Sequence, residues 1–341
     1  MKPEYRKNKY IKLMQIKNEY FIAEMTEIQS LEADTIKGLS STPKYLLSKY
    51  FYDDTGSSIF QEISKMPEYY LTKSEQEILE TQKEQITDSF ISGDSTIDLL
   101  ELGSGDGSKT KILLKQLLQK KSNFEYIPVD ISSKANSDLV SELNKDIPSL
   151  KISPLTGDFF GLTDSGSIYR NKRKVILFLG SNIGNFTETE IDLFLTQLFD
   201  LCRKGDKILI GFDLKKSPEI IMKAYDDPYG LTRKFNLNHL ARLNRELEAD
   251  FDLSGFEHHT TYNPLSGYLK SFLVSKEQQT VNIKSLGQRF VFNRWEPVFM
   301  ELSRKFEIAT IEYLAFSHGF CVVKHFTDQK NWFTDSLWIK T

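Results

Sequence analysis

Cysteine is almost absent from this chain: Cys202 and Cys321 are the only two in 341 residues, and neither belongs to a C-x-x-C pair. That excludes a disulfide framework and a cysteine-built zinc site, and it points to a reducing, cytoplasmic setting. No apolar run approaches the ~20 residues of a membrane span. The N-terminal lysines are followed by no apolar segment of the signal-peptide kind, so neither a membrane nor an export route is expected. A strong net charge is missing too. Lys and Arg number 44 against 47 Asp and Glu, a net −3, with no long basic stripe, which argues against nucleic acid as a partner. His239, His258, His259, His318 and His325 form no spaced ligand set. No metal site is therefore expected, and His258-His259 reads as loop surface. Repeats and low-complexity tracts are lacking. What remains is small-molecule chemistry on a globular chain whose 40% hydrophobic and 12% aromatic content suffices for packed cores. Its length exceeds the usual single core, so two lobes are expected.

The most informative segment runs from Leu99 to Ser108. An apolar run closed by Glu101 leads into glycines at 103, 105 and 107, which reads as a buried strand turning sharply into a helix that starts at Lys109. Glycines allow the left-handed backbone and the close approach of a ligand, while a helix N-terminus favours polar ligand groups. The spacing is G-x-G-x-G, not the G-x-G-x-x-G of dinucleotide sites, and points to S-adenosylmethionine (SAM) rather than NAD. A second strand, Phe124 to Val129, ends at Asp130, the place for a carboxylate that accepts hydrogen bonds from both ribose hydroxyls.

From Thr96 strands and helices alternate: strands at 96–102, 126–129, 150–154, 174–180 and 206–212, helices at 109–120, 133–144 and 188–201. This rhythm specifies a parallel α/β sheet. It stops at Lys215, where the chain reads as helical to about Glu248 and strand-like from Tyr268 to Phe292. It resumes with a helix over 304–317 and two terminal strands, 321–326 and 337–340. The expected architecture is a seven-stranded Rossmann-like sheet of the class I SAM methyltransferase type with an inserted α+β substrate-binding domain. The expected division is a flexible basic extension over 1–20, a substrate-binding domain of 21–69 and 216–303, and a methyltransferase domain of 70–215 and 304–341.

Several motifs, taken in order, carry a resemblance: Phe51-Tyr52-Asp53-Asp54-Thr55-Gly56-Ser57, Pro67-Glu68-Tyr69-Tyr70-Leu71-Thr72, Gly180-Ser181-Asn182-Ile183-Gly184-Asn185-Phe186, Ala224-Tyr225-Asp226-Asp227, Asn244-Arg245-Glu246-Leu247 and Glu301-Leu302-Ser303-Arg304-Lys305-Phe306. From about Ser30 onward the chain resembles the histidine-specific, SAM-dependent N-methyltransferases, which trimethylate the α-amino group of L-histidine to hergynine in ergothioneine biosynthesis. The resemblance implies a cofactor site of Gly103, Gly105, Lys109, Asp130, Asp158 and Phe159, with SAM as methyl donor and S-adenosylhomocysteine as its product. It implies an amino-acid site of Tyr52, Tyr69, Asn185, Tyr225, Glu301 and Ser303, with Tyr52 governing successive transfers and Glu301 and Ser303 on the imidazole. It further implies a small-molecule amino-acid substrate and a monomer. Where family members often set a methionine against the ring, the ungapped match here is Ser271.

The chemistry of these residue types agrees. A neutral imidazole offers one N–H donor and one acceptor, so a carboxylate and a hydroxyl two residues apart on a strand can read both nitrogens. Each residue also has a plainer reading: Glu301 as an ion-pair partner of Arg304 or Lys305, Asn185 as a cap of the helix after Thr187, and the tyrosines as packing. Two other functions stay open from the residues: methylation of a ring nitrogen or of another amino acid, and SAM binding without catalysis.

Overall fold

The computed structural model describes residues 30–91, 96–130, 133–157 and 172–341. The extension expected over 1–20, and with it Asp158 and Phe159, lies outside them. The chain divides into two compact units. One comprises 30–58, Arg233–His259 and Phe272–Met300; the other comprises Ile59–Thr232, Thr260–Ser271 and Glu301–Thr341.

The larger unit is built on seven strands: β1 (Ile97–Leu102), β2 (Phe124–Asp130), β3 (Leu155–Thr156), β4 (Arg173–Phe178), β5 (Lys207–Asp213), β11 (Phe320–Thr327) and β12 (Phe333–Lys340). They lie in the order β11-β12-β5-β4-β1-β2-β3. The first five pair in parallel, with Leu99 opposite both Tyr126 and Val175, and β12 pairs antiparallel with β5, Leu337 opposite Leu209. Side-chain alternation divides the strand residues between two apolar layers. Leu99, Val175 and Leu209 pack with Ile78, Ile86 and Phe90 of α3 (Tyr70–Phe90) and with Leu113 and Leu117 of α4 (Thr110–Gln119). Leu100, Ile176 and Ile210 face the other way, against Ile191 and Leu195 of α6 (Glu188–Leu201) and Ile311 of α9 (Ile308–Ser317). A further helix, α5 (Ser133–Asp146), joins the first layer through Leu139 and Leu143. Burying each such side chain is worth about 1.5–3 kcal/mol, which makes this double layer the main source of the unit's stability.

The rest of the chain comprises α1 (Leu31–Ser40), α2 (Asp54–Lys65), α7 (Pro218–Tyr225), α8 (Leu231–Glu246) and strands β6 (Phe256–Asn263), β7 (Tyr268–Ser275), β8 (Gln279–Ile283), β9 (Gln288–Phe292) and β10 (Pro297–Arg304). One sheet has the order β10-β7-β6 and another is the β8-β9 hairpin. In the smaller unit, Phe251, Phe256 and Phe292 form an aromatic core with ring centroids 5.5 to 5.9 Å apart.

Three local expectations are corrected. The third strand is 155–156 rather than 150–154, where only Ile152 makes an isolated bridge to Tyr126. The terminal helix starts at Ile308 and not Arg304, because β10 runs through Arg304 and the next two N–H groups bond the Gly267 and Asp213 carbonyls at 2.8 Å. His258 and His259 lie within β6 rather than in a loop. That strand escaped notice because its alternate positions are polar and only Phe256 and Thr260 are buried.

Candidate active site

The glycine turn does what its sequence dictates. Gly103, Gly105 and Gly107 take φ of +70°, +53° and +63°, a region that L side chains rarely adopt. A Cβ added to Gly105 would meet nothing within 4 Å, and one on Gly103 would meet only the Asn182 amide at 3.7 Å. The turn therefore presents bare backbone to open space at the carboxyl end of β1, the kind of cradle that a nucleoside-bearing cofactor fills. The Gly103 N–H bonds the Val129 carbonyl at 2.9 Å, which sets Asp130 beside the turn. Glu101 beneath the turn is buried, bonded by the hydroxyls of Thr110 and Tyr126, and its carboxyl is pushed up to about 7 by burial.

Lys109 is fixed from behind. Glu75 of α3, itself fully buried, accepts the Lys109 ammonium on one oxygen and the Gly180 N–H at 2.6 Å on the other. It thereby ties α4 to the turn after β4. Asp335, buried next to Glu75, has its carboxyl raised well above the ordinary range by desolvation and by the Glu75 charge.

Three of the larger unit's amino-acid candidates, Tyr69, Tyr225 and Ser303, meet at a buried polar cluster. Tyr225 ends α7, its hydroxyl 2.8 Å from Ser303 Oγ and its ring edge-on to Tyr69 at 6.1 Å. Behind them the Lys305 ammonium donates to Tyr225 Oη at 2.9 Å, Ser303 Oγ at 2.8 Å and Asp213 at 2.8 Å. Asp213 also accepts from the Tyr70 hydroxyl, at 2.8 and 3.0 Å to its two oxygens, and from Lys216. Burial would push the Asp213 carboxyl up, but the two ammoniums overcome this and hold it below the usual range. Lys216 is lowered to about 8 by burial, against the attraction of Asp213.

Glu301 is not the ion pair that its neighbours suggested. Arg304 reaches Glu188 at 3.8 Å and Lys305 turns to Asp213. Burial pushes the Glu301 carboxyl up to about 7, with Lys305 opposing. Nor does Asn185 cap α6: Thr187 does, in a capping box with Glu190. Asn185 closes the 3-10 turn Asn182–Asn185, and a Cβ on Gly184 would stand 2.9 Å from the Arg304 carbonyl oxygen, so the turn lies against the end of β10.

Tyr52 belongs to the other unit, half exposed, its ring edge-on to Phe235 at 5.4 Å. The chain after it is pinned because Asp53 accepts from the Gly56 N–H at 2.6 Å, from Asn238 at 2.8 Å and from Arg245. Gly56 is required there, since a Cβ would fall 1.8 Å from the Phe51 carbonyl oxygen. Ser271 is fully buried and its hydroxyl has no hydrogen-bond partner among the described residues. The sequence reading missed Lys305, Asp213, Lys216, Tyr70 and Glu75. The one available signal was the two-residue spacing of Glu301, Ser303 and Lys305. Among the described residues no group of three His, Cys, Asp or Glu side chains could hold a metal ion, and no helix is long and apolar enough to cross a membrane.

Comparison with known proteins gives the following. The family described as histidine-specific methyltransferase, SAM-dependent, matches residues 31–340. The chain is 36% identical over 309 residues to a histidine N-alpha-methyltransferase of Mycobacterium tuberculosis, covering 90% of this chain and 94% of that protein. It is 35% identical over 286 residues to the protein of the same name from Mycolicibacterium smegmatis, 84% of this chain and 87% of that one. It is 31% identical over 269 residues to ergothioneine biosynthesis protein 1 of Schizosaccharomyces pombe, covering 75% of this chain and 35% of that longer protein.

Proposed function

The chain belongs to the histidine-specific, SAM-dependent methyltransferase family, and on that premise we propose that it methylates the α-amino nitrogen of L-histidine three times, giving Nα,Nα,Nα-trimethylhistidine (hergynine). The observation that carries the reading is the pairing of Glu301, free of any ion pair with its basic neighbours, with the Ser303 hydroxyl two residues on. A carboxylate and a hydroxyl donor match the N–H and the bare nitrogen of a neutral imidazole. The same reading takes the enzyme as a cytoplasmic monomer acting on the free amino acid. Both cysteines are unpaired thiols, as that compartment requires.

SAM, when bound, supplies an electrophilic methyl group. The chain's own residues have to hold the two substrates in register, exclude water and favour the neutral amine. In this reading Asp130 anchors the ribose, Lys109 and the Gly103–Gly105 backbone line the cofactor, and Asn185 and Tyr225 hold the amine and carboxylate end. The Tyr69 hydroxyl accepts from the ammonium at first and yields space as methyls accumulate. A second reading, methylation of a ring nitrogen or of another amino acid, is favoured by Ser271, whose buried hydroxyl has no hydrogen-bond partner among the described residues and which, by the resemblance, stands where family members often set a methionine.

A panel of the twenty amino acids with SAM, read by mass spectrometry and proton NMR, tests the reading. Histidine as the preferred acceptor and a trimethylammonium singlet support it; a single N-methyl on the ring, or no turnover of histidine, sinks it. Glu301→Ala is expected to raise the histidine KM at least about tenfold, the loss of one charge-assisted hydrogen bond, while SAM affinity stays within about twofold. Equal histidine kinetics in the variant would remove Glu301 from the site.

Glu301 also makes a stability prediction. Its folded pKa, about 7, lies above its ordinary value, so the protonated form is the one the fold favours. That contribution is fully present below the ordinary carboxylate range and is lost as pH rises through about 7. Glu301→Gln should therefore unfold at a higher temperature than the parent on the alkaline side of this window and at the same temperature on the acid side. Parallel melting curves across the range would show that the carboxyl is not desolvated.

A further inference from the structure

In the larger unit the strand order reverses between β1 and β4: the sheet grows one way through β2 and β3 and the other way through β5. Open parallel sheets bind ligands at the carboxyl ends of the strands beside such a reversal. Two side chains stand at this one. A Cβ added to Gly180, just past β4, would lie 3.5 Å from Lys109 Nζ, 3.7 Å from Asn182 Nδ2 and 3.9 Å from Asn182 Oδ1. From the β1 side, a Cβ on Gly103 would meet Asn182 Nδ2 at 3.7 Å. The orientation of this amide is settled by its partner. Nδ2 donates to the Leu179 carbonyl at 2.9 Å, whereas a reversed amide would set two acceptor oxygens against each other. Oδ1 is then the uncommitted atom, accepting from no described residue. Lys109 is held from behind, because Glu75 accepts both its ammonium and the Gly180 N–H. The lysine side chain stays 26% exposed, with donors to spare for a ligand. Asn182 lies within the Gly180–Phe186 motif, where the sequence reading gave a role to Asn185 alone.

We propose that Asn182 is a cofactor-binding residue whose Oδ1 accepts the α-ammonium of SAM, beside Lys109, which takes the α-carboxylate. The proposal rests on the glycine-turn cofactor site of the preceding reading. The amino-acid end of SAM carries one cationic donor and one anionic acceptor, and the two side chains offer one carbonyl acceptor and one ammonium. Neither can exchange roles, since an ammonium has no lone pair and a carbonyl oxygen has no proton. The zwitterion is therefore held in one sense and at two points. A carboxamide also supplies its acceptor without charge. An anion in its place would compete with the cofactor's own carboxylate for Lys109, whose charge Glu75 already balances.

Calorimetry with three ligands reads the contact: S-adenosylhomocysteine, its analogue without the α-amino group, and 5′-methylthioadenosine, which lacks the whole amino-acid end. Asn182→Leu is expected to weaken S-adenosylhomocysteine at least about tenfold, the loss of one charge-assisted hydrogen bond, while the other two ligands stay within about twofold. Asn182→Asp keeps an acceptor and adds charge, so the preference for S-adenosylhomocysteine over the desamino analogue should exceed the parent's, whatever the absolute affinities. Equal losses for these two ligands in Asn182→Leu would assign the side chain to the carboxylate. A loss shared by 5′-methylthioadenosine would make it a support of the turn. Either result overturns the proposal, as does unchanged binding. Should Asn182→Leu not fold, Asn182→Asp decides alone, and a preference at or below the parent's sinks the idea. Asp130→Ala separates this claim from the reading beneath it, because all three ligands carry the ribose and should weaken alike. If Asp130→Ala spares all three, the cofactor-site reading falls; if it weakens them but the Asn182 variants show no split, only the present inference does.

Discussion

Asp213→Ala is expected to destabilise the protein by about 3–5 kcal/mol, the cost of leaving buried charge without its partner. Asp213 is fully buried and is the shared counter-ion of Lys216 and Lys305, both of them buried. Its removal also strips the Tyr70 hydroxyl of its acceptor. The pH dependence has a definite sign. Lys216 is at about 8 in the parent and, without Asp213, would drop further, so the folded variant binds fewer protons than the folded parent in the window below about 8. The variant's deficit is then expected to narrow as pH rises towards about 8 and to level off above it. Urea unfolding at several pH values reads both effects. A midpoint equal to the parent's, or a deficit that widens with pH, would contradict this account of the cluster.

Asp130→Ala should weaken SAM binding at least tenfold while the protein stays folded. Two charge-assisted hydrogen bonds to ribose hydroxyls are worth about 1.5–3 kcal/mol each, and about 1.4 kcal/mol already gives a tenfold change. The backbone role of Asp130 survives the change, because its carbonyl accepts the Gly157 N–H at 3.0 Å regardless of the side chain. Calorimetry with SAM and with S-adenosylhomocysteine measures the loss directly. Unaltered affinity for both would place the ribose elsewhere.

The seven-stranded sheet was legible before any coordinates because it rests on local signals. A strand buried on both faces must be continuously apolar, as Ile97–Leu102 nearly is, and a turn that needs three left-handed residues in five is best written in glycine, as Gly103, Gly105 and Gly107 are. Where these signals are weak the reading slipped. β3 has two residues, too few to show a period, and β6 hides its strand under alternating polar residues. The motif-borne residues Tyr69, Tyr225 and Ser303 do meet in space, while Asp158 and Phe159 lie outside the described residues.

What the sequence by itself determined was the class of ligand and the family: a glycine turn, a carboxylate at the end of the second strand and an ordered set of motifs each depend on residues close together in the chain. The tertiary structure alone decided how the polar residues are wired. Tyr70, Asp213, Lys216, Tyr225, Ser303 and Lys305 come from segments up to 235 residues apart in number, as the span from 70 to 305 shows, and nothing in their local patterns says which of them touch. A lysine in a charged stretch reads as solvated surface because that is its usual state. Lys305 departs from it only because folding brings Asp213 and two hydroxyls to its three protons. Periodicity can assign a side chain to a face, but charge pairing and proton direction depend on distance, and distance between remote segments exists only once the chain has folded.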